Sequence, residues 1–341
     1  MKAALLSEYH RPLELIERPV PELTRPDEVI VRIAGAGVCA TDLHAIEGLM
    51  EPAGLSPPVV LGHENAGWVE EAGELVATVS PGDAVILYPP HSCGLCVPCR
   101  RGADMHCERH QFTGLTVDGG FADFVLVSER SVIKLPDGVD PVEVAPHADA
   151  GLTANHAVKK VAHLARPGTT AVVIGAGGVG HLALQLLREL GQGDVVVVET
   201  DERRRRLADE LGADVSVDGA APADAVRELT GGRGADLVLD FVGTDQTHAD
   251  GMAMLGRAAT YAMVGYGGML SVPSAAMVGA EQAAVTSLVG SWIDLWEVLQ
   301  LHGAGRLTLK SETYPLEDVN EVLARLREGD ILGRAVLVPD Q

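Results

Sequence analysis

The chain has 341 residues, 47 % of them hydrophobic and 22 % charged, which at roughly 150 residues per domain predicts two domains with cores large enough to need no staples. Its 48 acidic and 26 basic side chains leave a net charge of −22, which excludes nucleic acid and anionic membrane as main partners because both are polyanions. Five cysteines cannot all pair, MKAALLSEYH is too short a patch for a signal h-region, and no apolar run approaches the ~20 residues of a membrane span, so a cytoplasmic protein in a reducing compartment is expected.

In chain order, EVIVRIAGAGV (28–38), VVLGHENAGWVEE (59–71) and DAVILY (83–88) read as short strands bounded by Pro, Gly or Asp, the pattern of a β-rich barrel or sandwich. Near residue 154 the pattern changes. TAVVIG (170–175), VVVVE (195–199), VSV (215–217), LVLDF (237–241), TYAMVG (260–265) and VTSLVG (285–290) alternate with amphipathic helical stretches, which predicts a doubly wound parallel sheet, a Rossmann fold. A helix (DLWEVLQLHGAG), a strand-like LTLKSETYPL, a further helix and a final strand LGRAVLVP close the chain.

Gly175, Gly177 and Gly180 form G-x-G-x-x-G within GAGGVG, with Gly178 and Val179 between them, at the end of a predicted strand and the start of a predicted helix. The first glycine permits the tight turn and the second admits a pyrophosphate to the backbone. The third packs the helix close to the strand, with its N-terminal amides facing the phosphate. Glu199 stands about 20 positions on, where a carboxylate binds the adenosine ribose and repels a 2′-phosphate, favouring NAD over NADP. The arginines 203–206 oppose that reading, since Arg holds a 2′-phosphate. For Arg203, Arg205 and Arg206 a solvated helix face is expected.

Cys93, Cys96, Cys99 and Cys107 give C-x2-C-x2-C-x7-C within fifteen residues. Four thiolates so close converge on one tetrahedral Zn²⁺ in a closed structural site, an iron–sulfur cluster and disulfides being the alternatives. The fifth cysteine lies in GVCATDLH (37–44), ahead of LGHENAG (61–67) and APHADAGLTANHA (145–157). Cys39 and His63 with one further ligand would make a three-ligand catalytic zinc with a vacancy. Spacing does not choose among Asp149, His147, Glu64 and His156 for that ligand.

Together the Cys39–His44 segment, Gly62-His63-Glu64, the four-cysteine lobe, the A-G-x-T segment, GAGGVG and the terminal G-R-x-V resemble the zinc-dependent medium-chain alcohol dehydrogenases over essentially the whole chain. Within that family the chain resembles most the microbial NAD-dependent secondary-alcohol type. The resemblance implies a Rossmann sheet plus a β-rich GroES-like catalytic domain. Residues 1–153 would form the catalytic domain with its zinc lobe at about 91–109, residues 154–290 would bind NAD, and residues 291–341 would return to the catalytic domain. It implies two Zn²⁺ per subunit, a catalytic one on Cys39, His63 and Asp149 and a structural one on Cys93, Cys96, Cys99 and Cys107. Asp149 stands where many relatives carry a second cysteine.

The same resemblance assigns Thr41 to accept the substrate proton, His44 to pass it to solvent, Asp42 to orient His63, and Glu64 to stand behind the metal. Thr153 corresponds to a nicotinamide contact, Arg204 to an adenosine contact and Arg334 to a pyrophosphate contact. The implied reaction is reversible oxidation of a small-molecule alcohol by hydride transfer from a zinc-bound alkoxide. Asp149, Trp292 and Trp296 lean the expected substrate towards apolar, secondary or aromatic alcohols. A polyol or sugar-alcohol dehydrogenase of the same superfamily is the first rival, and a non-catalytic NADH-sensing zinc module the second. A homotetramer is expected, with a homodimer as alternative.

Overall fold

EVIVRIAGAGV forms the strand Glu28–Val38, buried along almost its whole length because it is flanked on both edges. It pairs antiparallel with Glu64–Ala72, Phe124–Ser128 and the C-terminal strand Arg334–Val338. Val29, Val31 and Ile33 meet Val69, Val85, Val125 and Leu337 in one apolar core. The computed structural model describes residues 1–109 and 111–340. It divides the chain into two units: residues 1–152 with 291–305 and 309 onward, and residues 153–290 with 306–308.

In the first unit the C-terminal strand sits beside Glu28–Val38 with Val336 opposite Gly37, and Gly37 is also opposite Glu64. Three strands therefore begin or end at one level. The end of Glu28–Val38 delivers Cys39, the start of Glu64–Ala72 delivers His63 and Glu64, and the start of Arg334–Val338 delivers Arg334.

The sequence pattern predicts one strand over 59–71, and the structure breaks it in two. Val59–Val60 joins Lys2–Leu6 in a three-stranded sheet, while Glu64–Ala72 enters the larger one. The break is at Gly62, with φ of +97°, where a Cβ would lie 2.5 Å from the Phe121 ring. Alternation of apolar residues does not register such a kink.

The second unit is a six-stranded all-parallel sheet. Its order is Val215–Asp218, Asp194–Glu199, Thr170–Ile174, Ala235–Asp240, Leu255–Met263, Ala283–Thr286. That is the doubly wound arrangement, whose ligand crevice lies at the carboxyl ends where strand order reverses, beside Thr170–Ile174. The three strands Asp194–Glu199, Thr170–Ile174 and Ala235–Asp240 are valine- and leucine-rich because both faces are covered. The last strand departs from the expected 285–290: it is Ala283–Thr286, exposed throughout at the sheet edge.

Candidate active site

Cys39 is the residue before the short helix Ala40–Ile46, and its N–H donates to Asp42 Oδ2 at 2.8 Å. Asp42 turns its other oxygen, Oδ1, to His63 Nδ1 at 3.3 Å. Asp149 follows the 3₁₀ turn Ala145–Ala148, and its Oδ2 lies 3.7 Å from both Cys39 Sγ and His63 Nε2. Glu64 completes the group, one ligand atom from each of the four residues lying within 4.8 Å of the others, all four buried.

The charges explain what such a cluster is for. A thiol and two carboxylates face one another where little solvent reaches, with Arg334 as a compensating cation: it pairs with Glu64 Oε1 and lies 3.8 Å from Asp149. Burial pushes the Glu64 carboxyl up to about 7, against the pull of Arg334. Burial also opposes charge on His63, yet Asp42 and Asp149 outweigh it and hold the imidazole well above its ordinary pKa. The imidazole thus favours a positive centre at Nε2, a proton or a metal ion. Glu64 Oε2 is buried with no hydrogen-bond donor among the described residues. Soft sulfur, imidazole nitrogen and carboxylate oxygen converging on one point are a donor set that fits zinc.

Gly37 makes room for this arrangement, since a Cβ there would lie 2.0 Å from Glu64 Oε2. Gly37→Ala is expected to displace Glu64 at a cost of about 1–3 kcal/mol in stability. Calorimetric unfolding checks this, and an unchanged Tm would show that the strand shifts freely instead.

Thr41 is half-buried with Oγ1 3.7 Å from Cys39 Sγ, and His44 is half-buried in the last turn of the same helix. Of the other candidates for the third ligand, His147 is drawn away to His302, Nε2 to Nδ1 at 3.1 Å, and His156 lies on the helix Ala150–Val161 with Thr153. Arg334 is buried beside Glu64, a placement that sequence alone did not suggest.

A second cluster gathers Cys93, Cys96, Cys99 and Cys107, their sulfurs within 4.8 Å of one another. Cys96 and Cys99 sulfurs are 3.3 Å apart, beyond the about 2.05 Å of a disulfide bond. Cys93 Sγ accepts the N–H groups of Leu95 and Cys96 at 3.4 Å, and Cys107 Sγ those of Cys93 and Arg109 at 3.3 and 3.4 Å. The Leu95 and Cys96 amides bring the Cys93 thiol down to about 6. Burial and the adjacent sulfurs push Cys99 up to about 12. Backbone amides aimed at crowded sulfurs fit a closed tetrathiolate metal site.

In the second unit Gly175 has φ of +86°, and a Cβ on Gly180 would lie 1.8 Å from the Gly175 carbonyl oxygen. Among the described residues, none beyond its chain neighbours comes within 4 Å of the Cβ position of Gly177, leaving its backbone open to a ligand. Gly178 and Val179 complete the loop, and the helix Gly180–Leu190 starts beyond it. Glu199, at the end of Asp194–Glu199, receives the N–H of Ala176 at 2.9 Å and that of Asp201 at 3.0 Å. The carboxylate is thereby tied to the glycine loop itself.

The arginines that follow differ from a uniformly solvated face. Arg203 pairs with Asp201 and Arg206 with Glu202, whereas Arg205 turns inward and donates to the carbonyls of Glu199 and Thr200 at 2.7 and 2.8 Å. Arg204 is half-buried on the helix Glu202–Glu210. Trp292 and Trp296 line a surface cavity of the first unit with Tyr88, Asp104 and Arg130, and no residue of the metal cluster lines it. Their position gives no support to an apolar substrate.

A nucleotide-type parallel sheet and, in the same chain, a buried thiolate–imidazole–carboxylate centre define a metal-dependent oxidoreductase. The family model of the alcohol dehydrogenase GroES-like domain matches residues 25–137, and that of the zinc-binding dehydrogenases matches residues 178–302. An alcohol dehydrogenase of the hyperthermophilic archaeon Aeropyrum pernix has a similar structure, with TM-score 0.97 and 44 % identity over 99 % of this chain and 100 % of that one. An NAD-dependent alcohol dehydrogenase of Sulfurisphaera tokodaii is 33 % identical over 99 % of this chain and 100 % of its own length. A D-arabinose 1-dehydrogenase (NADP(+)) of Saccharolobus solfataricus is 34 % identical over 99 % of this chain and 97 % of its own. The chain belongs to the zinc-dependent medium-chain alcohol dehydrogenases, with the GroES-like and Rossmann folds expected of them.

Proposed function

We propose that this protein is a zinc- and NAD-dependent alcohol dehydrogenase that interconverts secondary, medium-chain or aromatic alcohols with their ketones or aldehydes. The observation that carries this reading is the convergence of Cys39, His63 and Asp149 on one buried point, with Glu64 Oε2 left without a donor beside them. Zinc held there supplies a Lewis acid that lowers the pKa of an alcohol hydroxyl, and NAD supplies the hydride acceptor.

The chain's own residues do the rest. Cys39 and Asp149 bring two negative charges that balance the ion, while Glu64 is balanced by Arg334. Asp42 holds His63 at Nδ1 and leaves Nε2 as the coordinating nitrogen. Thr41 accepts the proton of the substrate hydroxyl while releasing its own hydroxyl proton, and His44 on the same helix passes that proton towards solvent. Gly175, Gly177, Gly178, Val179 and Gly180 cradle the pyrophosphate. Glu199 binds the adenosine ribose, Arg204 lies on the adenosine side, Thr153 on the nicotinamide side, and Arg334 supports the pyrophosphate. Arg203, Arg205 and Arg206 are engaged by Asp201, main-chain carbonyls and Glu202, which supports NAD over NADP.

Because Asp42 acts through His63, Asp42→Asn is expected to weaken metal binding at this centre about 10–100-fold. Competition with a chromophoric chelator measures it, and unchanged affinity would show that Asp42 serves only the helix start.

A sugar or polyol substrate is the second reading, favoured by Glu64 within the metal cluster and by the relative named D-arabinose 1-dehydrogenase. NADH absorbance with primary, secondary and polyhydric alcohols separates the two. Higher kcat/KM for secondary or aromatic alcohols supports the first, higher values for polyols the second, and a flat response a coenzyme-binding module without turnover. A cytoplasmic homotetramer is the proposed assembly, with a homodimer in reserve. The edge strand Ala283–Thr286, exposed at each position, and the exposed Val278 and Leu288 near it support self-association. A monomer in sedimentation contradicts both.

A further inference from the structure

Three polar side chains are sealed inside the nucleotide unit, outside everything the reaction above uses. Asp240 and Tyr261 are 0 % exposed and His248 is 1 % exposed. The Tyr261 hydroxyl donates to Asp240 Oδ2 at 2.7 Å, and His248 Nδ1 lies 2.7 Å from the same hydroxyl oxygen. Tyrosine has one hydroxyl proton, and it is directed at Asp240. The proton of the second bond therefore belongs to His248 Nδ1. A buried carboxylate persists only when its lone pairs are occupied, and here the occupants divide into two sets. Oδ2 faces the Tyr261–His248 pair, while Oδ1 receives the N–H groups of Val242 and Gly243 at 2.8 and 3.0 Å.

The main-chain oxygen of Asp240 receives the N–H groups of Val264 and Gly265, both at 2.9 Å, and the Gly268 N–H closes onto the Gly243 carbonyl at 2.7 Å. One residue thus fixes the loop after its own strand and the loop after the next. These loops border the crevice. The strand Ala235–Asp240 lies beside Thr170–Ile174 on the side away from Asp194–Glu199. Val242 is 43 % exposed, and its Cγ2 lies 2.6 Å from the Cβ position of Gly175. If Glu199 holds the adenosine ribose, the other half of the dinucleotide crosses Gly175 towards Val242.

Resting on the NAD reading above, we propose that Asp240, backed by Tyr261 and His248, is a positioning group that sets the Val242–Gly243 backbone against the nicotinamide half of the coenzyme. None of the three touches the coenzyme. Calorimetric titration of the zinc-loaded protein with NADH and with ADP-ribose, which lacks the nicotinamide, tests this. Tyr261→Phe and His248→Leu each leave a buried polar atom without its partner, and the loops they steady are expected to lose about tenfold in NADH affinity. ADP-ribose affinity stays within about twofold, because the glycine loop and Glu199 are untouched. His248→Asn, which keeps a donor near the place of Nδ1, recovers most of the NADH affinity lost by His248→Leu.

Equal losses for both ligands, or a lower Tm with unchanged NADH affinity, overturn the proposal and leave the group a merely structural one. A wild type that binds ADP-ribose but gains nothing from the nicotinamide also overturns it. A wild type that binds neither ligand removes the NAD reading and this inference with it.

Discussion

Cys39→Ser is expected to abolish turnover, lowering kcat by about three orders of magnitude or more, while the folded chain keeps its four-cysteine metal. The sulfur at position 39 is one of four ligand atoms within 4.8 Å in a buried cluster. Serine at that place offers a neutral, harder and shorter donor, so the site loses both a charge and a fitted ligand. The second cluster belongs to a separate lobe with its own amide-to-sulfur bonds and has no part in this change. Metal analysis should fall from about two zinc ions per chain to about one. Retained activity, or loss of both ions together, would contradict the separation of the two sites.

Glu199→Ala carries the second large effect. The carboxylate receives the Ala176 N–H of the glycine loop at 2.9 Å, so its removal leaves a buried donor unpaired at a cost of about 1–3 kcal/mol. That cost falls on stability; what NAD binding loses is a charged acceptor for the ribose, about 1.5–3 kcal/mol. Since each 1.4 kcal/mol is tenfold, the KM for NAD is expected to rise by about one to two orders of magnitude with kcat little changed. The same change removes the repulsion of a 2′-phosphate, so discrimination against NADP narrows. Steady-state kinetics with both coenzymes decide the matter. A variant as selective for NAD as the wild type would show that discrimination lies elsewhere.

What could be read from the sequence follows from how local each signal is. The glycine loop, Glu199 and the four cysteines are short-range patterns whose chemistry needs residues at fixed spacing. The parallel sheet follows from apolar strands alternating with amphipathic helices. Residues brought together across the fold are harder. The choice among Asp149, His147, Glu64 and His156 depends on how the turn Ala145–Ala148 meets the ends of three strands. There Asp149 and Glu64 face Cys39, while His147 turns to His302.

Arg334 is separated from Glu64 by 270 positions, and nothing local to either residue signals the pair. Two signals were present but easily passed over. Gly35 and Gly37 inside a strand mark a close approach, here of Val142 and Glu64. Gly62 inside the apparent strand 59–71 marks the kink that turns His63 into the site. Arg205 also departs from its expected solvated role, because the carbonyls at the end of Asp194–Glu199 offer it two acceptors. Composition alone cannot show where a long side chain finds its partners.

The most direct test is NADH formation from NAD and a panel of secondary and aromatic alcohols, with wild type and Cys39→Ser measured side by side under the same zinc supply. Alcohol-dependent NADH production by the wild type, reversible with the corresponding ketones and absent from Cys39→Ser, is the predicted result. A wild type that forms no NADH from any alcohol, or a variant that matches it, would contradict the assignment of the Cys39–His63–Asp149 centre.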